Sequence, residues 1–196
     1  MTSSPGAAPT TTRDRVVDAA VRMTIELGWA RVTMVRLADE VGVSRQTVYN
    51  EMGTKAGLAE AMVARELERF LGVVTVSFDA HPDDLVAGIR EATRAVLEVA
   101  QDNPLLHAVV SATHGADTEL LPLLTTQADN LLATAHAVVA ERVAPYDVGL
   151  AADQVDAAID MVVRVVLSHV MQPSGSPADT ADRLAWLVER VLRVPA

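Results

Sequence analysis

The stretch Leu37-Ala38-Asp39-Glu40-Val41-Gly42-Val43-Ser44-Arg45-Gln46-Thr47-Val48-Tyr49-Asn50 holds the side chains best suited to chemistry in this chain. Arg pairs with guanine or with phosphate, Gln and Asn pair with adenine, and the Thr methyl packs on thymine. Such residues read a duplex when one short helix carries them outward and a second helix props it at a steep angle. That corner needs a small residue at the crossing, a residue tolerant of positive φ at the turn, and apolar residues facing inward. Ala38 is the small residue, Gly42 the turn, and Leu37, Val41, Val43 and Val48 the inward face. Ser44 is placed to cap the second helix. Arg45, Gln46, Thr47 and Asn50 are then expected to point outward. Ordinary helix–Gly–helix packing has the same look, so the flanking residues must decide between the two readings.

The elements around this corner read as helices throughout. Period-3.6 apolar patterns recur from Arg13 onward, and strand alternation is hard to find. Val16, Val17, Ala20, Val21, Thr24 and Leu27 make the first stripe, with Gly28 as its stop. Thr33 opens a second helix, Ser44 a third that runs to about Met52, and Gly53-Thr54 restart the chain into a fourth over about 55–77. His81-Pro82-Asp83-Asp84 is a boundary before a fifth helix ending near Gln101. Asn103-Pro104 forces a break and a short sixth helix follows to about Ala112. Thr113-His114-Gly115-Ala116-Asp117 reads as a loop. A seventh helix is expected from Thr118 to about Ala144, an eighth over about 151–171, and a last over about 178–193 after the linker Pro173-Ser174-Gly175-Ser176-Pro177. The fold class is all-α with about nine helices, preceded by a flexible tail over 1–12.

Composition narrows the function. The 196 residues are 50% hydrophobic but only 3% aromatic, so the core is aliphatic and large enough to order the chain. There is no Cys, which excludes a disulfide scaffold and thiolate metal sites. The first residues, Met1-Thr2-Ser3-Ser4-Pro5-Gly6, do not look like a secretory leader, no apolar run approaches the roughly 18 residues of a membrane span, and a cytoplasmic protein is expected. The net charge of −10 is unevenly spread: residues 13–69 carry nine basic and nine acidic side chains, so the whole excess lies outside them. The two parts of the chain have different electrostatics, which suggests different tasks.

With its flanks included, the first part resembles the TetR family of bacterial transcription regulators over about residues 13–64. Asp18-Ala19-Ala20, Leu27-Gly28-Trp29, Thr33-Met34, Leu37-Ala38, Gly42-Val43-Ser44, Thr47-Val48-Tyr49 and Gly53-Thr54-Lys55 carry the likeness. The resemblance implies a helix-turn-helix DNA-binding domain over 13–55 and a helical effector-binding and dimerisation domain over 56–196. It implies that Thr33 caps the second helix and touches a phosphate, that Tyr49 and Lys55 contact phosphates, and that Gln46, Thr47 and Asn50 face the major groove with Arg45 beside them. Lys55, the chain's single lysine, also has the plain reading of a solvated cation. The chain departs from the family in having Thr24 and Met52 where aromatics are usual, both expected to be packing positions. It also has Glu51 where a basic or aromatic residue is frequent, and a carboxylate there should point away from phosphates.

Two apolar stripes stand out in the last helices: Leu184, Leu187, Val188, Val191 and Leu192, and Val155, Ala158, Ile159, Val162, Val166 and Val170, the latter with a second edge through Met161 and Val165. A helix apolar on more than one side must be covered on more than one side. The resemblance implies a homodimer through these two helices, matching a palindromic operator. A pocket walled by Leu, Val, Met and Ala suits an aliphatic or lipid-like effector. Its polar candidates are His107, Thr113, His114, Gln127, Asn130, His136 and His169, with Met161 among the apolar ones. No cofactor and no metal are expected, since His107, His114 and Asp117 fit no ligand spacing. An enzyme is not expected: H-E-x-x-H, G-x-S-x-G and Walker-type loops are all missing. The competing reading is a helical lipid or small-molecule binder without DNA binding.

Overall fold

A computed structural model describes residues 11–113 and 128–192. Among these there are nine α-helices and no strand. They are α1 (Thr12–Leu27), α2 (Met34–Val41), α3 (Arg45–Met52), α4 (Lys55–Asp79), α5 (Leu85–Gln101), α6 (Pro104–Thr113), α7 (Ala128–Val143), α8 (Ala152–Met171) and α9 (Pro177–Leu192), with a 3₁₀ turn at Trp29–Arg31. The described residues fall into two compact units, 11–64 with 107–113, and 65–106 with 128–192.

Local chemistry sets most boundaries. α1 begins earlier than its apolar stripe suggests. Thr11 and Asp14 form a reciprocal capping box, in which the Thr11 hydroxyl accepts from the Asp14 N–H while the Asp14 carboxylate accepts from the Thr11 N–H at 3.0 Å. The cap at Thr11 and the helix from Thr12 fall within the stretch expected as a tail, 1–12, of which residues 1–10 lie outside the described residues. Ser176 caps α9 by accepting from the Asp179 N–H at 3.1 Å, and Pro177 takes the first helical position, where a missing N–H costs nothing.

In the first unit α1, α2 and α3 pack on one another around Val16, Val17, Ala20, Leu37, Ala38, Val41, Val48 and Met52, all buried. Thr24 is buried too and returns its hydroxyl to the Ala20 carbonyl at 2.7 Å. Thr24 and Met52 are thus packing residues, as expected. The compact unit runs to Ala64, with Leu58, Ala59 and Met62 of α4 buried.

The second unit is built on α5. α9 packs along it, and α8 packs on both α5 and α7. Its core holds Val74, Phe78, Leu85, Ile89, Ala92, Val96, Val143 and Ile159. The stripe on α9 is divided: Leu184 is buried, Val188 and Leu192 pack on the core, and Leu187 and Val191 are exposed. Asn103 is 1% exposed. Its Oδ1 accepts from the Leu106 N–H at 2.9 Å, which caps α6, and its Nδ2 donates to Glu66 Oε2 of α4 at 2.5 Å. Burial of this amide is tolerated because both ends are satisfied. The seventh helix is described only from Ala128, so its expected start at Thr118 lies outside the described residues.

Candidate nucleic-acid interface

The corner between α2 and α3 is made by its caps. Thr33 Oγ1 accepts from the Arg36 N–H at 3.3 Å and starts α2. Gly42 ends it in the left-handed region, φ 72° and ψ 40°, a conformation that costs a residue bearing Cβ roughly 1–2 kcal/mol. Ser44 Oγ accepts from the Thr47 N–H at 3.0 Å and starts α3. With Val48 and Met52 buried, the helical period leaves Arg45, Gln46, Tyr49 and Asn50 on the opposite, exposed face. Thr47 is half-buried, and its hydroxyl lies 2.8 Å from that of Ser44. Gln46 Nε2 donates to Asn50 Oδ1 at 2.9 Å across one turn. Tyr49 is 49% exposed.

Two arginines of α1 hold this helix pair from below. Arg15 Nη2 donates to the carbonyl of Val41, at the C-terminal end of α2, at 2.5 Å. Arg13 Nη1 donates to the carbonyl of Glu51, near the end of α3, at 2.6 Å. A guanidinium at a helix C-terminus meets both unpaired carbonyls and the negative end of the helix dipole. Arg22 pairs with Glu40 at 3.4 Å, and Arg36 donates to the Arg31 carbonyl at 3.2 Å. Much of the basic charge in this segment is therefore structural.

Lys55 opens α4, where Thr54 Oγ1 accepts from the Gly57 N–H at 3.0 Å. Its Nζ lies 4.9 Å from the centroid of the Trp29 ring, and that ring is itself buried. The indole face attracts the ammonium and holds the cation beside the start of α4. Gly57 sits so close to α3 that a Cβ would overlap the Met52 carbonyl oxygen. Arg13, Arg15, Trp29 and Gly57 build the geometry, yet the sequence offers no local signal that pairs them with their partners.

Of the expected effector residues, His107, Asn130, Met161, His136 and His169 have side chains among the described positions. His107 and Asn130 are exposed. Met161 is 61% exposed, because Ile159 is buried and two residues of helix turn the next side chain to the far side. The side chain of Thr113, and His114 and Gln127 as a whole, lie outside the described residues. His136 Nε2 is 3.2 Å from Asp156 Oδ1, joining α7 to α8, and His169 Nδ1 is 2.8 Å from the Val165 carbonyl. Tyr146 donates its hydroxyl to the His81 carbonyl at 2.8 Å, and burial pushes its phenol above the usual range. Its ring meets Phe78 edge to face, centroids 6.4 Å apart. Among the described residues no group of three or more His, Asp or Glu is arranged to hold a metal. No described helix is long and apolar enough to cross a membrane.

Comparison with known proteins places these features. Residues 16–62 match the family "Bacterial regulatory proteins, tetR family", and residues 84–190 match "Bacterial Tetracyclin repressor, C-terminal domain". The chain is 28% identical over 176 residues to the HTH-type transcriptional regulator AlkX of Mycobacterium tuberculosis, covering 90% of this chain and 82% of that protein. A crystal structure of the TetR family repressor AlkX from a Dietzia species, implicated in biodegradation of n-alkanes, superposes with a TM-score of 0.74 at 28% identity. That match covers 95% of this chain and 98% of the other. A TetR-family regulator from Mesorhizobium loti shares the fold at 17% identity and a TM-score of 0.62, over 92% and 95% of the two chains.

Proposed function

From the premise that this chain belongs to the TetR family of bacterial transcriptional regulators, we propose that it is a repressor that binds a palindromic operator as a dimer and is released by an aliphatic effector. The observation that carries the DNA-binding half is the exposed row on α3. Arg45, Gln46, Tyr49 and Asn50 face outward from a helix whose other side is buried in its own unit. Gln46, Thr47 and Asn50 meet base edges in the major groove, with Arg45 on base or backbone. Thr33, Ser44, Tyr49 and Lys55 lie against phosphates on either side. Few cations remain for the backbone, so each monomer binds weakly, and affinity comes from two copies engaged together.

The dimer forms through α8 and α9. Met161 and Leu167 of α8, and Trp186, Leu187 and Val191 of α9, are large apolar side chains at 41–61% exposure, more than two adjacent helices of a soluble chain ordinarily leave uncovered. Met161, also an expected effector residue, lies on this exposed face. Pairing through it sets two copies of α3 about one helical turn of DNA apart. Residues 13–55 form the reading head, and 56–196 the effector-binding and dimerising part, in the cytoplasm.

The effector is a saturated chain, free or carrying an oxidised end. The relative of known structure at 28% identity is implicated in n-alkane biodegradation, and the core of the second unit is dominated by Val, Leu, Ile and Ala. The polar contacts in this reading come from His107, Thr113, His114, Gln127 and Asn130. The effector acts by its difference in affinity for the DNA-bound and released states. A gel-shift titration against the DNA flanking the protein's own gene tests both halves. Specific retardation relieved by decanoic acid or decane supports the reading. No specific retardation at any salt concentration refutes the DNA-binding half, and insensitivity to every aliphatic probe refutes the effector.

A further inference from the structure

We propose that Asn50 is a positioning residue for Gln46, and that the two side chains act as one reader of a single adenine–thymine pair in each operator half-site. This rests on the DNA-binding reading above and goes beyond it in naming a base and in giving the two amides one shared target. The two residues stand one helical turn apart on the exposed face of α3. Gln46 Nε2 donates to Asn50 Oδ1 at 2.9 Å. A primary amide has two N–H donors and one carbonyl acceptor. The bond to Asn50 consumes one N–H of Gln46 and leaves it one N–H and its oxygen. Adenine presents an acceptor at N7 and a donor at its N6 amino group in the major groove, the complement of that remaining pair. Guanine presents two acceptors there, and the Gln46 oxygen would be left facing one of them.

The tie also changes what binding costs. A free glutamine side chain is among the most flexible and loses its rotamer freedom when it docks on a base. Held by Asn50, it is ordered before DNA arrives, so less freedom is lost on binding. Asn50 is left with its own amino group directed to neighbouring acceptors, base or phosphate. The Ser44 and Thr47 hydroxyls are 2.8 Å apart at the start of the helix, so each has a partner of its own.

The test is selection of duplexes from a randomised pool by the full-length chain, comparing wild type with Gln46→Ala, Asn50→Ala and Asn50→Asp. All these positions are exposed, and unchanged thermal melting verifies the fold of each variant. The expected result is an adenine selected by the wild type in each half-site, with its preference lowered about tenfold by Gln46→Ala and by Asn50→Ala at the same base pair. Asn50→Asp keeps an acceptor for Gln46 and retains the adenine preference, even though the added carboxylate weakens overall affinity. The proposal is overturned if Gln46→Ala and Asn50→Ala relax different base pairs, if Asn50→Ala leaves the preference intact, or if the wild type selects another base there. A wild type that enriches no sequence at all overturns the DNA-binding reading and this proposal with it, whereas the other adverse results leave that reading standing.

Discussion

Lys55 Nζ stands 4.9 Å from the centre of the Trp29 ring, so the single lysine of the chain rests on a buried indole at the first turn of α4. A cation held over an aromatic face is restrained without being neutralised. Its position is set by the unit's own core.

Removing that charge should therefore affect DNA binding more than folding. Lys55→Gln is expected to weaken binding to all sequences alike and to reduce the slope of log affinity against log salt by about one per subunit. Its melting temperature should stay within a few degrees of wild type, since a cation–π contact at a half-exposed site is worth about 1–2 kcal/mol. Filter binding across a salt series reads the slope. An unchanged slope would remove Lys55 from the interface.

Arg15 has the opposite expectation. Its guanidinium caps the Val41 carbonyl at a part-buried position, and a hydrogen bond to a charged group contributes about 1.5–3 kcal/mol. Arg15→Met, which keeps much of the side chain's length and packing, should lower the urea unfolding free energy by about 2 kcal/mol. It should leave the salt slope of DNA binding where it was. A steeper loss of salt dependence than of stability would mark Arg15 as a phosphate contact instead.

Two glycines of α4 should respond in opposite directions. A Cβ at Gly57 would overlap the Met52 carbonyl oxygen, while nothing stands within 4 Å of one at Gly72. Gly57→Ala is expected to cost about 1–3 kcal/mol through overpacking against backbone and to displace α4 from α3, with loss of operator binding. Gly72→Ala should gain about 0.5–1 kcal/mol from helix propensity and bind DNA as wild type does. Urea melts and gel shifts on the pair of variants check both.

The uncovered face of α9 is tested by charge. Trp186 is 57% and Leu187 50% exposed, so Leu187→Glu should not disturb the fold of one chain. Placed across a two-fold axis it would meet its own copy, and like charges in an apolar interface are strongly unfavourable. Sedimentation should show a folded monomer with operator affinity lowered at least about a hundredfold, because both half-sites are no longer engaged together. A dimer that persists would place the interface elsewhere.

The α5 ion pair sets an acid dependence. The Glu91 carboxyl is held below the usual carboxylate range, first by the hydrogen bonds it accepts from Arg94, at 2.6 and 3.2 Å. A carboxyl whose folded pKa is lowered contributes stability that is present above its unfolded value of about 4.3. That contribution is lost as pH falls through the lower folded value. Urea midpoints between about pH 6 and about pH 3 should fall more steeply in wild type than in Arg94→Met. The difference should be small because both groups meet solvent. Parallel curves would show that the pair is not coupled to folding.

Much of the fold was legible in the sequence because its determinants are local. Thr33, Ser44 and Gly42 start and stop helices through atoms three or four residues away, and Asn103-Pro104 breaks the chain where it stands. The outward row of α3 followed from the same arithmetic of helical period. The Thr11–Asp14 capping box was equally local, and it was hidden only by a segment rich in Ser, Thr and Pro. The expected effector residues could not be gathered in this way, since a pocket is assembled from helices distant in sequence.

By itself, then, the sequence determined where helices begin and end, which side of each is apolar, and that one of them carries an outward row of polar side chains. The tertiary structure decided that Arg13 and Arg15 cap carbonyls 38 and 26 residues away, that Lys55 rests on Trp29, and that Leu184 turns inward while Leu187 stays exposed. Caps and periodicity depend on bonds that one turn of chain can satisfy. The role of a long basic side chain, or of one edge of a broad apolar stripe, depends on which neighbour the packing of other helices brings within reach.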